Sequence, residues 1–198
     1  MREKRPYPLQ RYTRRGTAWI VATLFLFVTG CCADYFLLPE GDSYGMIGDS
    51  IFTVGTGECA DVGIMLSMSS GERITNMAAS GAQLERILAR YYLLAEMEPS
   101  MQAVIADGGT NDVVAKRPVG EIYEDIVRLF ETILADGNDL IYVLPYHYRG
   151  ERASYNPVID ELDTSLLVAC DEMDIECIDL RDIFDAYPEF YLDDIHPR

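Results

Sequence analysis

The chain has 198 residues, 49% of them hydrophobic and 25% charged, which suits one domain with a substantial core and excludes disorder for the bulk. Its formal charge is −17, from 16 basic against 33 acidic residues, and such a surface repels phosphate backbones, so no nucleic-acid partner is expected. With only two histidines, His147 and His196, most multi-histidine metal sites are ruled out, and no metal or other cofactor is expected.

Residues 1–30 read as an export signal. Arg2, Lys4, Arg5, Arg11, Arg14 and Arg15 precede an apolar run from Thr17 to Gly30. At about 14 residues that run is short of the ~20 a spanning helix needs, although a tilted anchor helix is an alternative. Arg14-Arg15 is followed by Gly16-Thr17-Ala18, a poor match to a twin-arginine signal. The run ends in Val28-Thr29-Gly30-Cys31, which resembles the lipobox of bacterial lipoprotein signal peptides. The resemblance implies lipidation of Cys31, with residues 31–42 forming the lipidated N-terminus and a tether at a bacterial cell envelope. A plain secretory signal, releasing a secreted or periplasmic protein, is the other reading. Six of the 16 basic residues but only Glu3 among the 33 acids fall in residues 1–30, which leaves 10 against 32, a net −22. So acidic a domain is not drawn to anionic lipid by charge; a covalent lipid would have to hold it.

Residues 43–198 form the remaining domain. Compact apolar runs at 44–48, 74–79, 102–106, 140–144 and 175–180 predict five buried strands. Residues 59–68 predict a first helix between them. Leu84, Ile87, Leu88 and Tyr91 mark a second, and Ile122, Ile126, Leu129, Phe130, Ile133 and Leu134 a third that Gly137 stops. Asn156-Pro157 opens a fourth, with Asn156 as the cap and Val158, Ile159, Leu162, Leu166 and Cys170 along its length. This alternation predicts an α/β protein, a three-layer α/β/α sandwich on a five-stranded parallel sheet. Cys59, Cys170 and Cys177 match no zinc spacing; they are small buried apolar residues, or one pair is bridged after export.

Ligands of such folds sit at the carboxyl ends of the strands. There the sequence places Gly48-Asp49-Ser50, Ala79-Ser80-Gly81, Gly108-Gly109-Thr110-Asn111-Asp112 and, after the fifth strand, Asp193-Asp194-Ile195-His196. A serine hydroxyl is a weak nucleophile until a base takes its proton; His196 can be that base, with Asp193 fixing its tautomer. The backbone N–H groups of Ser50 and Gly81 and the amide of Asn111 are candidate donors to an oxyanion.

The four blocks, in this order, resemble the SGNH hydrolase family, also called GDSL-type esterases and lipases. Gly48-Asp49-Ser50 is similar to the first block, 76–81 to the second, Gly109-Thr110-Asn111-Asp112 to the third and Asp193-x-x-His196 to the last. The resemblance spans roughly residues 44–196. It implies a flavodoxin-like sheet, a triad of Ser50, His196 and Asp193, and an oxyanion hole of Ser50, Gly81 and Asn111. The implied activity is that of a serine esterase working through an acyl-enzyme on a small-molecule or saccharide ester. Short loops favour small acyl groups, such as acetyl on a saccharide. Two departures stand out: Ile51-Phe52 follows Ser50 in place of leucine, and the chain stops at Arg198, where relatives usually add a last helix. That stop suggests either a fragment or a histidine on a fraying end.

Blander roles compete. Ser50 can cap a helix, Gly81 can serve packing, and Asp194 can replace Asp193 as the acid. Asp49, Asp107 and Asp112 are expected to bond backbone turns. His147, in the loop after the fourth strand, belongs to a surface loop, a substrate contact or a substitute base. The competing function is a non-catalytic, glycan-binding surface lipoprotein of the same fold.

Overall fold

The computed structural model describes residues 43–53 and 62–196, so the expected signal peptide, Cys31, the tether and Cys59 lie outside the described residues. Five strands make one sheet: β1 (Ser43–Ile47), β2 (Arg73–Asn76), β3 (Ala103–Asp107), β4 (Asp139–Val143) and β5 (Glu176–Ile178). All neighbours are parallel, in the order β2-β1-β3-β4-β5. Met46 pairs with Asn76, Ile47 with Ala106, and Asp107 with Val143, so the carboxyl ends finish level at one edge.

The helices are α1 (Ser50–Thr53), α2 (Val62–Ser70), α3 (Leu84–Met97), α4 (Thr110–Val114), α5 (Val119–Ala135), α6 (Asn156–Met173) and α7 (Arg181–Ala186). α3, α5 and α6 pack side by side, while α2 packs on β2. The step from β1 to β2 crosses the sheet in one direction and every later step runs in the other. Right-handed crossovers therefore put α2 on the opposite face from α3, α5 and α6. The three-layer α/β/α architecture is thus present.

The core follows the apolar pattern. β3 is buried along its whole length, and Ile122, Ile126, Leu129, Phe130 and Ile133 turn the stripe of α5 inward. Phe130 meets Tyr142 edge-on at 4.8 Å between ring centres. Gly45 has no room for a side chain, because a Cβ there would lie 2.5 Å from Cδ2 of Leu94 on α3.

Three local readings change, and one open alternative is decided. β2 stops at Asn76 instead of running to 79, because the Asn76 Oδ1 accepts the Ala78 N–H at 2.9 Å and turns the chain. The following residues still follow β1, through Met77 N–H to Met46 O at 2.7 Å and Ala79 N–H to Gly48 O at 2.9 Å. β5 is three residues long, not six. Asn156 does not cap its own helix: a 3-10 turn, Gly150–Tyr155, runs straight into α6. Its amide instead clamps the loop after β4, accepting from Tyr148 N at 2.8 Å and donating to Tyr148 O at 3.1 Å. Cys170 on α6 and Cys177 on β5 are joined in a disulfide, their Cα atoms 6.2 Å apart. Among the described residues no helix is long and apolar enough to cross a membrane.

Candidate active site

Ser50 opens α1 directly after β1. The turn that presents it needs Gly48, since a Cβ there would come 1.7 Å from Oδ1 of Asp107 at the end of β3. That oxygen instead accepts the Asp49 N–H at 2.7 Å, while Oδ1 of Asp49 accepts the Ile51 N–H at 2.9 Å. On α4, Oδ2 of Asp112 accepts the Leu84 N–H at 3.1 Å and Oδ1 accepts Nη1 of Arg117 at 2.6 Å. All three aspartates bond backbone, as expected, but Asp49 does more. Its Oδ2 accepts Nδ2 of Asn111 at 3.0 Å, and the same Nδ2 donates to Ala82 O at 3.0 Å.

The structure brings Ser50, His196 and Asp193 together across 146 residues of chain. Nε2 of His196 lies 2.9 Å from Oγ of Ser50, and Nδ1 lies 2.8 Å from Oδ2 of Asp193. The other carboxylate oxygen accepts the N–H groups of Ile195 and His196, each at 2.8 Å. Burial raises the Asp193 carboxyl, but the His196 and Ile195 N–H groups and the imidazole outweigh it and bring it down to about 2. It is thus a fixed anion facing Nδ1, which leaves Nε2 free to accept the Ser50 proton. Asp194 does not compete for this place. Its carboxylate turns toward Gly150, where a Cβ would lie 2.4 Å from its Oδ1.

The segment that carries His196 is anchored by groups the sequence did not single out. The Tyr146 hydroxyl donates to Ile195 O at 2.8 Å, and Arg149 N–H donates to Asp194 O at 2.8 Å. Tyr191 donates its hydroxyl to His147 O, its ring lies 4.9 Å beneath the Arg149 guanidinium, and Tyr146 stacks on Phe184 at 4.3 Å. Leu192 N–H closes the turn on His196 O at 2.7 Å. The histidine therefore sits on a tied-down turn rather than a fraying one. The available signal was the aromatic density of Pro145-Tyr146-His147-Tyr148 and of 187–191, which reads as core unless its destination is known.

A cleft of about 480 Å³ opens over Ser50, lined also by Ser80, Gly81, Thr110, Asn111, Arg152, Asp193, Asp194, Ile195 and His196. Gly81, at φ +69°, brings its backbone to the rim. Neither its N–H nor that of Ser50 is spent on another protein group among the described residues. His147 does not line the cleft. Its Nδ1 meets Asp185 at 2.8 Å and its Nε2 meets Asp160 at 3.0 Å, in a network that Arg181 extends to Asp160, Asp163 and Asp179. Desolvation pulls His147 down, yet the bonds to Asp160 and Asp185 prevail and raise it. Among the described residues no cluster of histidine, cysteine and carboxylate groups could hold a metal ion.

A parallel sheet with a hydrogen-bonded serine, histidine and aspartate at its carboxyl edge has the form of a serine-hydrolase site. The family model for GDSL-like lipases and acylhydrolases matches residues 46–198, and the chain belongs to that family. No curated protein matches it in sequence. Among solved structures it is similar to a G-D-S-L lipolytic protein from Veillonella parvula, at TM-score 0.67 and 19% identity over 80% of this chain and 90% of that one. It is also similar to Axe2, an acetylxylan esterase from Geobacillus stearothermophilus, at TM-score 0.64 and 17% identity over 80% and 87%. A further likeness is to a G-D-S-L lipolytic protein from Desulfitobacterium hafniense, at TM-score 0.60 and 20% identity over 71% and 78%.

Proposed function

We propose that the protein is a serine esterase that removes small acyl groups, acetyl foremost, from saccharide esters at a bacterial cell envelope. The observation that carries the chemistry is the continuous chain from Ser50 Oγ through His196 to the Asp193 carboxylate. Ser50 Oγ attacks the ester carbonyl carbon as its proton passes to Nε2 of His196. The negative charge moves to the carbonyl oxygen, where the N–H groups of Ser50 and Gly81 and the Asn111 amide receive it. Collapse of the tetrahedral intermediate breaks the bond to the alcohol, which leaves with the proton from His196. Water then attacks the acyl-Ser50 ester, gives its proton to His196, and the acid departs as Ser50 regains its proton. Catalytic mutants of Axe2 likewise replace a serine, an aspartate and a histidine.

The substrate reading rests on the lining. Among the described residues, Ile195 is the one apolar side chain lining the cleft, against Ser80, Thr110, Asn111, Arg152 and Asp194. Such a wall offers little area to a long acyl chain and many donors and acceptors to a hydroxylated alcohol. Export is supported by the basic and apolar N-terminus and by the Cys170–Cys177 bridge, a bond that persists in oxidising compartments. Lipidation of Cys31 would hold the acidic domain at the membrane. A fluorophosphonate probe tests the enzymatic reading: it is expected to label Ser50 stoichiometrically, and a folded, unlabelled protein would leave a glycan-binding role instead.

A further inference from the structure

Two buried carboxylates beneath Ser50, Asp49 and Asp107, have no part in the proton path. Asp49 is fully buried, and burial, offset by the Ile51 N–H, His196 and Asn111, pushes its carboxyl up to about 6. Holding the Ser50 turn takes one acceptor, the oxygen on the Ile51 N–H, and an asparagine would supply that without a buried charge. Among the described residues the second oxygen has one hydrogen-bond partner, the Asn111 amide.

We infer that Asp49 is a positioning residue which fixes the Asn111 amide with its nitrogen toward the oxyanion. The inference rests on the hydrolase reading above. Asn111 has two N–H bonds, and in this structure one points to the Asp49 carboxylate and the other to Ala82 O. Rotating the amide by half a turn would press its oxygen against both acceptors, so the chemistry of the surroundings selects the donor face. The two bonds differ in kind. The bond to Asp49 is charge-assisted and roughly twice as strong as a neutral one, so it is the hinge. The bond to Ala82 is neutral, so a forming oxyanion can draw that proton away from the carbonyl. Asp49 thus acts through Asn111 and never touches substrate.

The test is a double-mutant cycle on p-nitrophenyl acetate. Asp49→Asn puts a donor where the carboxylate oxygen stood, and Asn111 is expected to turn; kcat should fall ten- to a hundredfold with KM changed less than twofold. In an Asn111→Ala background the same change should cost less than twofold in kcat, because the group it acts through is gone. Losses that multiply would overturn the inference and leave Asp49 a structural residue. If Asp49→Asn does not fold, the wild-type protein answers by NMR. One Asn111 side-chain amide proton, assigned by its loss in Asn111→Ala, is expected well downfield of ordinary side-chain amides; a pair at ordinary positions would overturn the inference. Fluorophosphonate labelling of the wild type decides the hydrolase reading separately, so the two failures can be told apart.

Discussion

Removal of one oxygen atom from Tyr146 tests how His196 is held. Tyr146 is buried, its ring stacked on Phe184 and its hydroxyl 2.8 Å from Ile195 O. Tyr146→Phe keeps the ring and strands a buried carbonyl, at a cost of about 1–2 kcal/mol. The segment 191–196 is joined to the domain mainly by this bond, the Arg149 N–H and the Tyr191 contacts. The cost therefore falls on local opening of that segment rather than on the sheet. At 1.4 kcal/mol per tenfold, opening becomes roughly five- to thirtyfold more frequent. Amide hydrogen exchange reads this directly. The N–H groups of Leu192, Ile195 and His196 should exchange faster by that factor, with β1 and β3 unchanged. Activity should then be lost on heating several degrees before the far-UV circular dichroism melts. Equal acceleration everywhere, or none at 191–196, would refute the view that Tyr146 anchors the histidine locally.

Other outcomes follow from the same geometry. Asn111→Ala should lower kcat by about 10²–10³ with little change in KM, measured on p-nitrophenyl acetate; an effect within twofold would remove the amide from the oxyanion site. Gly150→Ala should lower kcat/KM by at least tenfold, because Gly150 sits at φ +55° and the new Cβ meets Asp194 beside the histidine. Turnover like the wild type would show that this contact relaxes freely. Asp163 is fully buried, and burial, against the pull of Arg181, raises it to about 8. A raised carboxyl binds a proton in the folded state that the unfolded chain has released, so its stabilising effect is full below about 4 and is lost as pH rises through about 8. His147, also raised, adds to the same decline. Thermal melts from pH 5 to pH 9 should show stability falling by a few kcal/mol, and Asp163→Asn should flatten the curve. An unchanged slope in that variant would rule out Asp163 as its source.

The central strands of the sheet were legible because both of their faces are covered, so each appears as an apolar run between polar turns; β2 and β5 are shorter and only partly buried. The runs at 102–106 and 140–144 are the clearest cases. The ends of elements were less legible. The 74–79 run is apolar enough to continue, yet one local bond from the Asn76 side chain ends the ladder. Asn156 has the form of a helix cap, but the helix is entered from a 3-10 turn and the amide serves a neighbouring loop. α7 was missed because its six residues are too few to show a period. At the site, the meeting of Ser50, His196 and Asp193 was legible through spacing and block order. Their support was not. Tyr146 and Arg149 reach a segment some 45 residues away through a hydroxyl and a backbone N–H, and Tyr191 on that segment reaches back to His147 O and Arg149, and no local pattern records such partners. Nor did Gly48-Asp49-Ser50 reveal that the aspartate's second oxygen reaches Asn111, since that contact exists only once β1 and β3 lie side by side.

The central claim is that Ser50, activated by His196, carries the acyl group. The measurement that tests it most directly is an acid quench of the protein during turnover of p-nitrophenyl acetate, followed by peptide mass spectrometry. The account predicts one acetyl group on the peptide containing Ser50, accumulating further when deacylation is slowed, and absent in Ser50→Ala. Acetyl found on another residue, or sustained turnover in Ser50→Ala, would contradict it.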